Sequence, residues 1–285
     1  MSRRYLLIDG ARYQAALPRL YRRDEPLEIE PLYFDTIWHG SADVGPLLVQ
    51  ASRHSTLFSE VATDPELRAS ASIVSSAAPL HAVADHLRQF NQVIDTAGAK
   101  SLLRYADPLV AWFWLQSSDA GTLDSILGPL TRWTLVEPTA AWQRPAAARW
   151  RAFHRVAAHD ERSAPPTRLS ATQTDALDNA YRWQLQERLY RWLRNSRHAK
   201  LAHLTPDDWG TWLTERLAEA SSHGLTTERS LAVWCDLSAL QGNGFAAQPE
   251  GAYQRWLTRM SPQAPHTPDQ RLQQYYLSVA GDRAA

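Results

Sequence analysis

The sequence has little cysteine and no long apolar run, and each shortage excludes a class of protein. Its 285 residues include one cysteine, Cys235, so the chain cannot form an internal disulfide framework. The longest obvious apolar run, Leu109 to Leu115, is far shorter than the roughly 20 residues that span a bilayer. The run from Tyr5 to Ile8 is also shorter than the ~7–15 apolar residues of a secretory signal. These shortages predict a cytoplasmic protein with no membrane insertion.

The sequence also has no net charge and very little lysine. Lys and Arg together number 30, as do Asp and Glu, so the formal net charge is zero and favours neither nucleic acid nor an anionic membrane. Lys100 and Lys200 are the only lysines, and arginine therefore supplies nearly all the positive charge. The densest basic run, from Arg182 to Lys200, spreads around one predicted helix with no recognisable nucleic-acid module. We expect a solvated face there and no nucleic-acid partner.

The first 140 residues alternate short apolar runs with helical patterns, which is typical of α/β layers. The predicted strands are the apolar runs at 5–8, 46–49, 71–75, 101–105 and 132–136. The predicted helices are those at 11–21, 79–90 and 109–115. The pair Asp107-Pro108 places a capping carboxylate before a proline, which is typical of a helix start. These patterns predict an α/β N-terminal lobe, a mixed sheet with flanking helices.

The remaining residues have a different character. A connection rich in Pro, Ala and Arg covers 141–168 and is predicted to contain a helix over 146–158. From 169 to 285 no strand pattern is present, which predicts an all-α C-terminal lobe. Its first helix begins at a capping box of Ser170 and Gln173 and runs to about residue 195. A second helix is predicted to begin at Thr205-Pro206 and to end at Gly224. Further helices are predicted over 228–240, 250–260 and 268–279.

Motifs for catalysis and cofactor binding receive no support from their context. The three histidine pairs spaced five apart do not share a helix face, so we expect no metal site. The run Gly242 to Ala247 has the spacing of a dinucleotide loop, but it follows a helical segment and predicts a helix end instead. Cys235 has no neighbour in sequence that would lower its pKa. We therefore expect no cofactor and no catalytic constellation, although catalytic groups could still meet in space.

Tryptophan is abundant, and the helix over 170–195 shows the pattern best. One stripe on this helix is predicted to be core, and it comprises Leu177, Tyr181, Leu185, Leu189, Trp192 and Leu193. A second face carries Trp183 and Tyr190, with Arg194 and Arg197 on either side. This face either packs against the N-terminal lobe or another helix of its own lobe, or it binds a partner. Arginine beside aromatic rings suits a protein interface.

Four motifs occur in a characteristic order before residue 137. They are Tyr5 to Ala11 (YLLIDGA), Gly45 to Val49 (GPLLV), His86 to Arg88 (HLR) and, the most diagnostic, Leu102 to Pro108 (LLRYADP). In this order they resemble a family catalogued as a domain of unknown function, the effector adaptors or chaperones of bacterial type VI secretion. The resemblance covers about residues 3–137. It departs at Leu103, where the family often has phenylalanine, and at Leu109, where it often has a basic residue.

The resemblance implies a loading role. Such adaptors bind a toxin effector in the cytoplasm and help to place it on the spike protein of the secretion machine. The family-motif residues, expected to act mainly in the scaffold, are Asp9, Gly10, Pro46, Arg104, Asp107 and Pro108. The helical lobe is expected to suit its own effector, with Trp183, Tyr190, Arg194 and Arg197 as one candidate binding face. A hydrolytic enzyme and a structural component of the secretion apparatus are the alternatives.

Overall fold

A computed structural model describes residues 2–52, 54–143, 147–158, 165–259 and 267–281. The chain divides into two compact units. The first unit comprises residues 1–138 and 146–180, and the second comprises 139–145 and 181–285. The predicted α/β region followed by an all-helical region is confirmed.

The first unit contains all the strands that the structure describes. They are β1 (Arg3–Asp9), β2 (Leu27–Pro31), β3 (Pro46–Ala51), β4 (Ala71–Ser76), β5 (Val93–Ile94), β6 (Lys100–Ser101), β7 (Leu130–Val136) and β8 (Trp150–His154). Six of them form one sheet in the order β2-β3-β1-β4-β7-β8, and each neighbouring pair is antiparallel. The short strands β5 and β6 form a separate pair.

Helices cover both faces of the sheet and make up the second unit. They are α1 (Ala16–Tyr21), α2 (Leu57–Thr63), α3 (Pro65–Ser70), α4 (Leu80–Arg88), α5 (Pro108–Gln116), α6 (Ala120–Leu127), α7 (Ala171–Ser196), α8 (His198–Leu201), α9 (Pro206–Ser222), α10 (Glu228–Gln241), α11 (Ala252–Arg259) and α12 (Pro268–Gly281). In the part of the chain that the structure describes, no helix has both the length and the apolarity to cross a membrane.

The central strand β1 supplies both cores of the first unit. Successive side chains of a strand point to opposite faces of the sheet. Tyr5 and Leu7 accordingly pack with α4 and α5, while Leu6 and Ile8 pack with α1, α2 and α3. All four side chains are fully buried. This double burial explains why β1 is a continuous apolar run rather than an alternating one.

The helix predicted over 11–21 is wrong in its first half, because regular helix begins only with α1. The Asp9 carboxylate accepts the backbone N–H groups of Ala11 at 2.9 Å and Arg12 at 3.0 Å, which holds the chain in a turn. Ala15 then adopts a left-handed conformation with φ of 55°, which a helix cannot contain. Because Asp9 at the end of β1 holds the following residues in a turn, the helix begins later in the chain than predicted.

The strand predicted over 101–105 is also wrong, since only its first residue lies in β6. Leu103 and Tyr105 are buried by tertiary packing and not by strand pairing. The Tyr105 hydroxyl donates a 3.0 Å hydrogen bond to Asn91 Oδ1 inside the core. An apolar run in a sequence cannot distinguish these two ways of being buried.

The helix predicted over 146–158 is wrong too, and Ala146 itself lies outside the described residues. Strand β8 occupies 150–154 and pairs with β7, placing Phe153 opposite Trp133. The apolar pattern predicted the strand at 132–136 as the last one, but β8 follows β7.

Strand β2 was also not predicted from the sequence, because its charged residues hide a weak alternation at the sheet edge. Pairing with a neighbouring strand overrides weak local propensity in both cases.

The predicted helix boundaries of the C-terminal region are largely confirmed. Ser170 and Gln173 exchange hydrogen bonds of 3.0 and 3.2 Å at the start of α7, as a capping box requires. Thr205 caps α9 in the same way. Gly224 follows α9 with φ of 76° and Gly242 ends α10 with φ of 95°, conformations that favour glycine. The glycine pair near 242 therefore ends a helix.

Candidate functional site

Three of the motif residues meet in a charge cluster in the first unit. Asp9, at the end of β1, is 5% exposed, and Arg104 Nη2 donates to its Oδ2 at 2.8 Å. The same Nη2 lies 3.8 Å from Oδ2 of the fully buried Asp107. A fourth member, Arg12, reaches Asp107 Oδ2 at 3.2 Å and completes two cations against two carboxylates. Sequence reasoning missed Arg12, because nothing in its local pattern indicates a partner at position 107.

In this charge cluster two buried carboxylates are paired with two partly exposed guanidinium groups. Burial raises the pKa of Asp9 above its ordinary value, and the charge of Arg104 opposes that rise. Burial disfavours the charged form of Arg104, but Asp9 and Asp107 outweigh it and raise its pKa. The guanidinium is thus held between two carboxylates, a geometry that fixes the segment around Arg104 to the end of β1.

Asp107 has a second task at the start of α5. Its Oδ1 accepts the backbone N–H of Leu109 at 3.0 Å, and Pro108 occupies the first position of the helix. One buried carboxylate therefore caps a helix and pairs with Arg12. This double use explains in physical terms why Asp and Pro stand together after the apolar LLRYA segment.

Gly10 and Pro46 lie where the chain approaches itself closely. A Cβ atom on Gly10 would lie 2.4 Å from the Gly45 carbonyl oxygen, which is too close for any side chain. Pro46 is paired with Asp9 across the β1–β3 ladder, and its carbonyl accepts the Leu32 N–H at 2.8 Å. The two glycine-containing motifs thus meet at the end of the sheet that carries Asp9.

The space beside the charge cluster is too small for a cofactor. The cavity there has a volume of about 20 Å³ and is lined by Asp9, Tyr33 and Arg104 among others. This is room for about one water molecule. Burial, assisted by the charge of Asp9, raises the pKa of Tyr33 to about 12. The arrangement is suited to holding the scaffold together.

The aromatic face predicted on the long helix packs inside its own unit. Tyr190 is 8% exposed, and its ring centroid lies 4.9 Å from that of Trp209 and 5.8 Å from that of Trp142. Trp183 is half-buried, with its ring centroid 6.2 Å from that of Trp142. Of the two interpretations of this face, packing within its own helical unit accounts for Tyr190. A helical wheel gave no signal for Trp142 or Trp209, because both contacts are tertiary.

The two arginines of that face have different surroundings. Arg197 Nε lies 2.7 Å from Oδ1 of the fully buried Asp236, and Arg197 Nη2 donates to its Oδ2 at 2.9 Å. The hydrogen bond to Asp236 raises the pKa of Arg197. Arg194 is exposed and donates a 3.3 Å hydrogen bond to the Tyr190 hydroxyl. The structure thus pairs the half-buried Arg197 with a buried carboxylate and leaves Arg194 exposed at the surface.

The predicted core stripe of α7 is buried only in part. Leu189 and Leu193 are buried as expected. Tyr181 and Trp192, in contrast, are 55% and 39% exposed, so their assignment to the core is wrong. Periodicity places these residues on the same side of the helix, but it does not reveal where the neighbouring helices end.

The residues considered for chemistry sit in structural surroundings. Among the described residues no group of three or more His, Cys, Asp or Glu side chains could hold a metal ion. Burial raises the pKa of Cys235 to about 12, so its thiol is protonated at neutral pH. His86 is buried with its Nε2 atom 2.7 Å from the Ile126 carbonyl oxygen.

A known protein family matches the N-terminal part of the chain. The model of a family described as "Domain of unknown function (DUF4123)" matches residues 4–125. This family is generally linked to effector adaptors of type VI secretion. The matched residues include the whole charge cluster and the two close-packed glycines at 10 and 45. No curated protein and no solved structure matches the chain.

Proposed function

We propose that this chain is a cytoplasmic adaptor that binds a toxin effector of type VI secretion and helps to load it onto the spike protein, without catalysing a reaction. The observation that carries the proposal is the DUF4123 match over residues 4–125, since that family is linked to effector adaptors. The motif residues fit this role because they stabilise a scaffold that can present a binding surface elsewhere.

The surface composition of the second unit agrees with protein recognition. Tyr181 and Trp192 are exposed on α7, and Arg194 lies on the same helix. Tyr, Trp and Arg are the residues most enriched at the centres of protein interfaces. An adaptor must also release its cargo, which favours a mixed polar and aromatic interface over a purely apolar one. Within the earlier candidate face, Trp183 and Arg194 are the members that a partner could reach.

The test is a tagged pull-down from the native bacterium while the secretion system is expressed, with mass spectrometry of the proteins that co-elute at moderate salt. We expect one effector, with or without a spike protein. The variant with both Trp183→Ala and Arg194→Ala should capture less effector, and Arg182→Ala on the same helix serves as the matched control. Equal effector capture by the wild type, the double variant and Arg182→Ala would reject this binding face while leaving the adaptor role intact.

Other outcomes would replace the proposal itself. Recovery of no specific partner from secreting cells would contradict an adaptor role. Stoichiometric incorporation of the chain into the assembled apparatus would identify a structural component. Hydrolysis of an envelope or nucleic-acid substrate by the purified protein would identify an enzyme.

A further inference from the structure

The second unit contains a cavity of about 280 Å³ with aromatic and aliphatic walls. Trp142, Tyr190 and Trp209 supply rings, and Leu204 and Ala202 supply aliphatic surface. All are contributed by the described part of the second unit. Arg194 is the charged residue among those that line the cavity. We call this feature the Arg194 cavity.

Among the residues that the structure describes, no carboxylate pairs with the Arg194 guanidinium. The Cζ atom of Arg194 lies 6.0 Å from the Tyr190 ring centroid. No acidic side chain among the described residues lies within 4.0 Å of the guanidinium nitrogens of Arg194. Asp207 and Asp208, the acidic residues nearest in sequence to the cavity-lining Pro206, do not pair with Arg194. Asp208 accepts the backbone N–H of Thr205, and Asp207 is exposed. The remaining hydrogen-bond capacity of Arg194 is thus available to an anion.

We propose that the Arg194 cavity binds a short acidic segment of the effector, with an aromatic or aliphatic side chain inside the cavity and a carboxylate on the Arg194 guanidinium. The proposal rests on the adaptor role and states the chemistry of the cargo segment. Charge complementarity selects the acid, since an exposed arginine beside a ring pairs well with a planar carboxylate. The aromatic and aliphatic side chains that line the cavity favour an aromatic or aliphatic side chain as the anchor.

The cavity volume limits what can enter. Pockets for drug-sized ligands span about 300–1,000 Å³, and this cavity lies just below that range. It therefore suits a single side chain with its flanking backbone better than a whole cofactor. A single deeply placed anchor surrounded by weaker contacts is typical of peptide recognition by a groove.

Ring geometry favours a peptide over a nucleotide. Proteins that bind single-stranded nucleic acid offer ring faces on which bases stack, along a track of cations. Here the Tyr190 and Trp209 rings meet at 87° and the Tyr190 and Trp142 rings at 66°, so they pack edge to face on one another. One arginine among the lining residues does not make a phosphate track.

The test is fluorescence polarisation of the full-length purified chain with synthetic peptides. The probe is a labelled peptide in which Trp-Leu is flanked on both sides by Asp-Glu, between Gly-Ser spacers. One comparison peptide replaces the acidic residues by their amides, and another replaces Trp-Leu by Ala-Ala. We expect each change to weaken binding about tenfold, as for the loss of a charge-assisted contact or of an apolar anchor.

Two variants test the location. Arg194→Ala should weaken binding of the acidic probe about tenfold and leave the amide peptide unaffected. Ala202→Trp fills the cavity from an exposed position and should weaken binding of both peptides. Arg182→Ala, an exposed arginine of the same helix outside the cavity lining, should change binding less than about twofold. Thermal unfolding of each variant checks that it retains the fold.

Three results would overturn the proposal. These are equal binding of the acidic and amide peptides, unchanged binding by both cavity variants, and tighter binding of an oligothymidylate than of the acidic probe. The peptide assay is independent of the pull-down, so the two proposals fail separately. Effector capture that is unaffected by Arg194→Ala and Ala202→Trp would reject the cavity and retain the adaptor, whereas absence of any effector partner would reject the adaptor.

Discussion

Arg104 in the first unit and Arg194 in the second have opposite surroundings. Arg104 donates to the buried Asp9 at 2.8 Å and lies near the buried Asp107, so its charge is used within the scaffold. Arg194 is exposed, contacts the Tyr190 hydroxyl at 3.3 Å and lines a cavity of about 280 Å³. One arginine belongs to the motifs that the family match covers, and the other lies far outside them.

The difference teaches that the residues of a diagnostic motif and the residues with unused polar capacity need not coincide. The motif residues of the first unit satisfy one another, because buried charges must be paired. A surface that recognises a partner instead needs polar groups with unused capacity beside apolar area. In this chain those properties occur together in the helical unit.

The largest expected effect comes from breaking the charge cluster at its most buried member. Asp107→Ala should lower the free energy of unfolding by about 3 kcal/mol, since it leaves Arg12 without its carboxylate and removes the cap of α5. Asp119→Ala is the matched control, because Asp119 also caps a helix but is exposed. Urea titration measures both. Equal losses for the two variants would mean that the ion pair contributes nothing beyond the cap.

A middle-sized effect should separate the two arginines directly. Arg104→Ala should cost about 2 kcal/mol of stability, less than a fully buried pair because the Arg104 side chain is 35% exposed. Arg194→Ala should cost less than about 0.5 kcal/mol, as expected for a surface substitution. Thermal unfolding of both variants under one buffer condition checks the contrast. A loss on Arg194→Ala as large as that on Arg104→Ala would show that both arginines are structural.

The smallest effect concerns pH and a second ion pair of the first unit. The bidentate hydrogen bonds from Arg23 lower the pKa of Glu60 from 4.5 to about 2. The stabilisation is therefore present above pH 4.5 and is lost as the pH falls towards 2. It amounts to no more than about 1 kcal/mol, because solvent screens a pair this exposed. Stability of the wild type relative to Glu60→Gln, measured from pH 7 to pH 2, should fall only in that window.

Asp9 provides the control of opposite sign for that titration. Its pKa is raised from 3.8 by burial, so its protonated form is favoured in the folded state. Its contribution to stability is therefore fully present below pH 3.8 and is lost as the pH rises through the raised pKa. Asp9→Asn should remove this component and leave the Glu60 component in place. The same pH dependence in both variants would contradict the assignment.

Much of the fold could be predicted because strong local signals agree with it. β1 and β3 are apolar on both faces, and α5 and α9 begin with clear capping residues. One failure occurred where a distant partner decides the structure, since β8 forms because β7 offers an edge. The turn after β1 has a local cause that apolar periodicity does not show, because Asp9 captures the backbone N–H groups of Ala11 and Arg12.

The candidate site could be predicted only as a set of residue types. The resemblance assigned Asp9, Arg104 and Asp107 a role in the scaffold, and the structure brings them into one charge cluster. The partner of Arg197, Asp236, lies on another helix and carries no local signal. The Arg194 cavity also escapes a helical wheel, because its other walls come from residues near 142, 204 and 209.

The sheet order has a consequence for any fragment of this protein. The family match ends at residue 125, but β4 is hydrogen-bonded to β7, and β7 to β8, both of which lie beyond that point. Trp133 of β7 is fully buried and donates a 2.8 Å hydrogen bond to Ser72 of β4. A fragment that ended at 125 would keep every diagnostic residue and still present an uncovered strand edge, a template for aggregation. The part that the family model matches is therefore smaller than the part that can be handled as a stable piece.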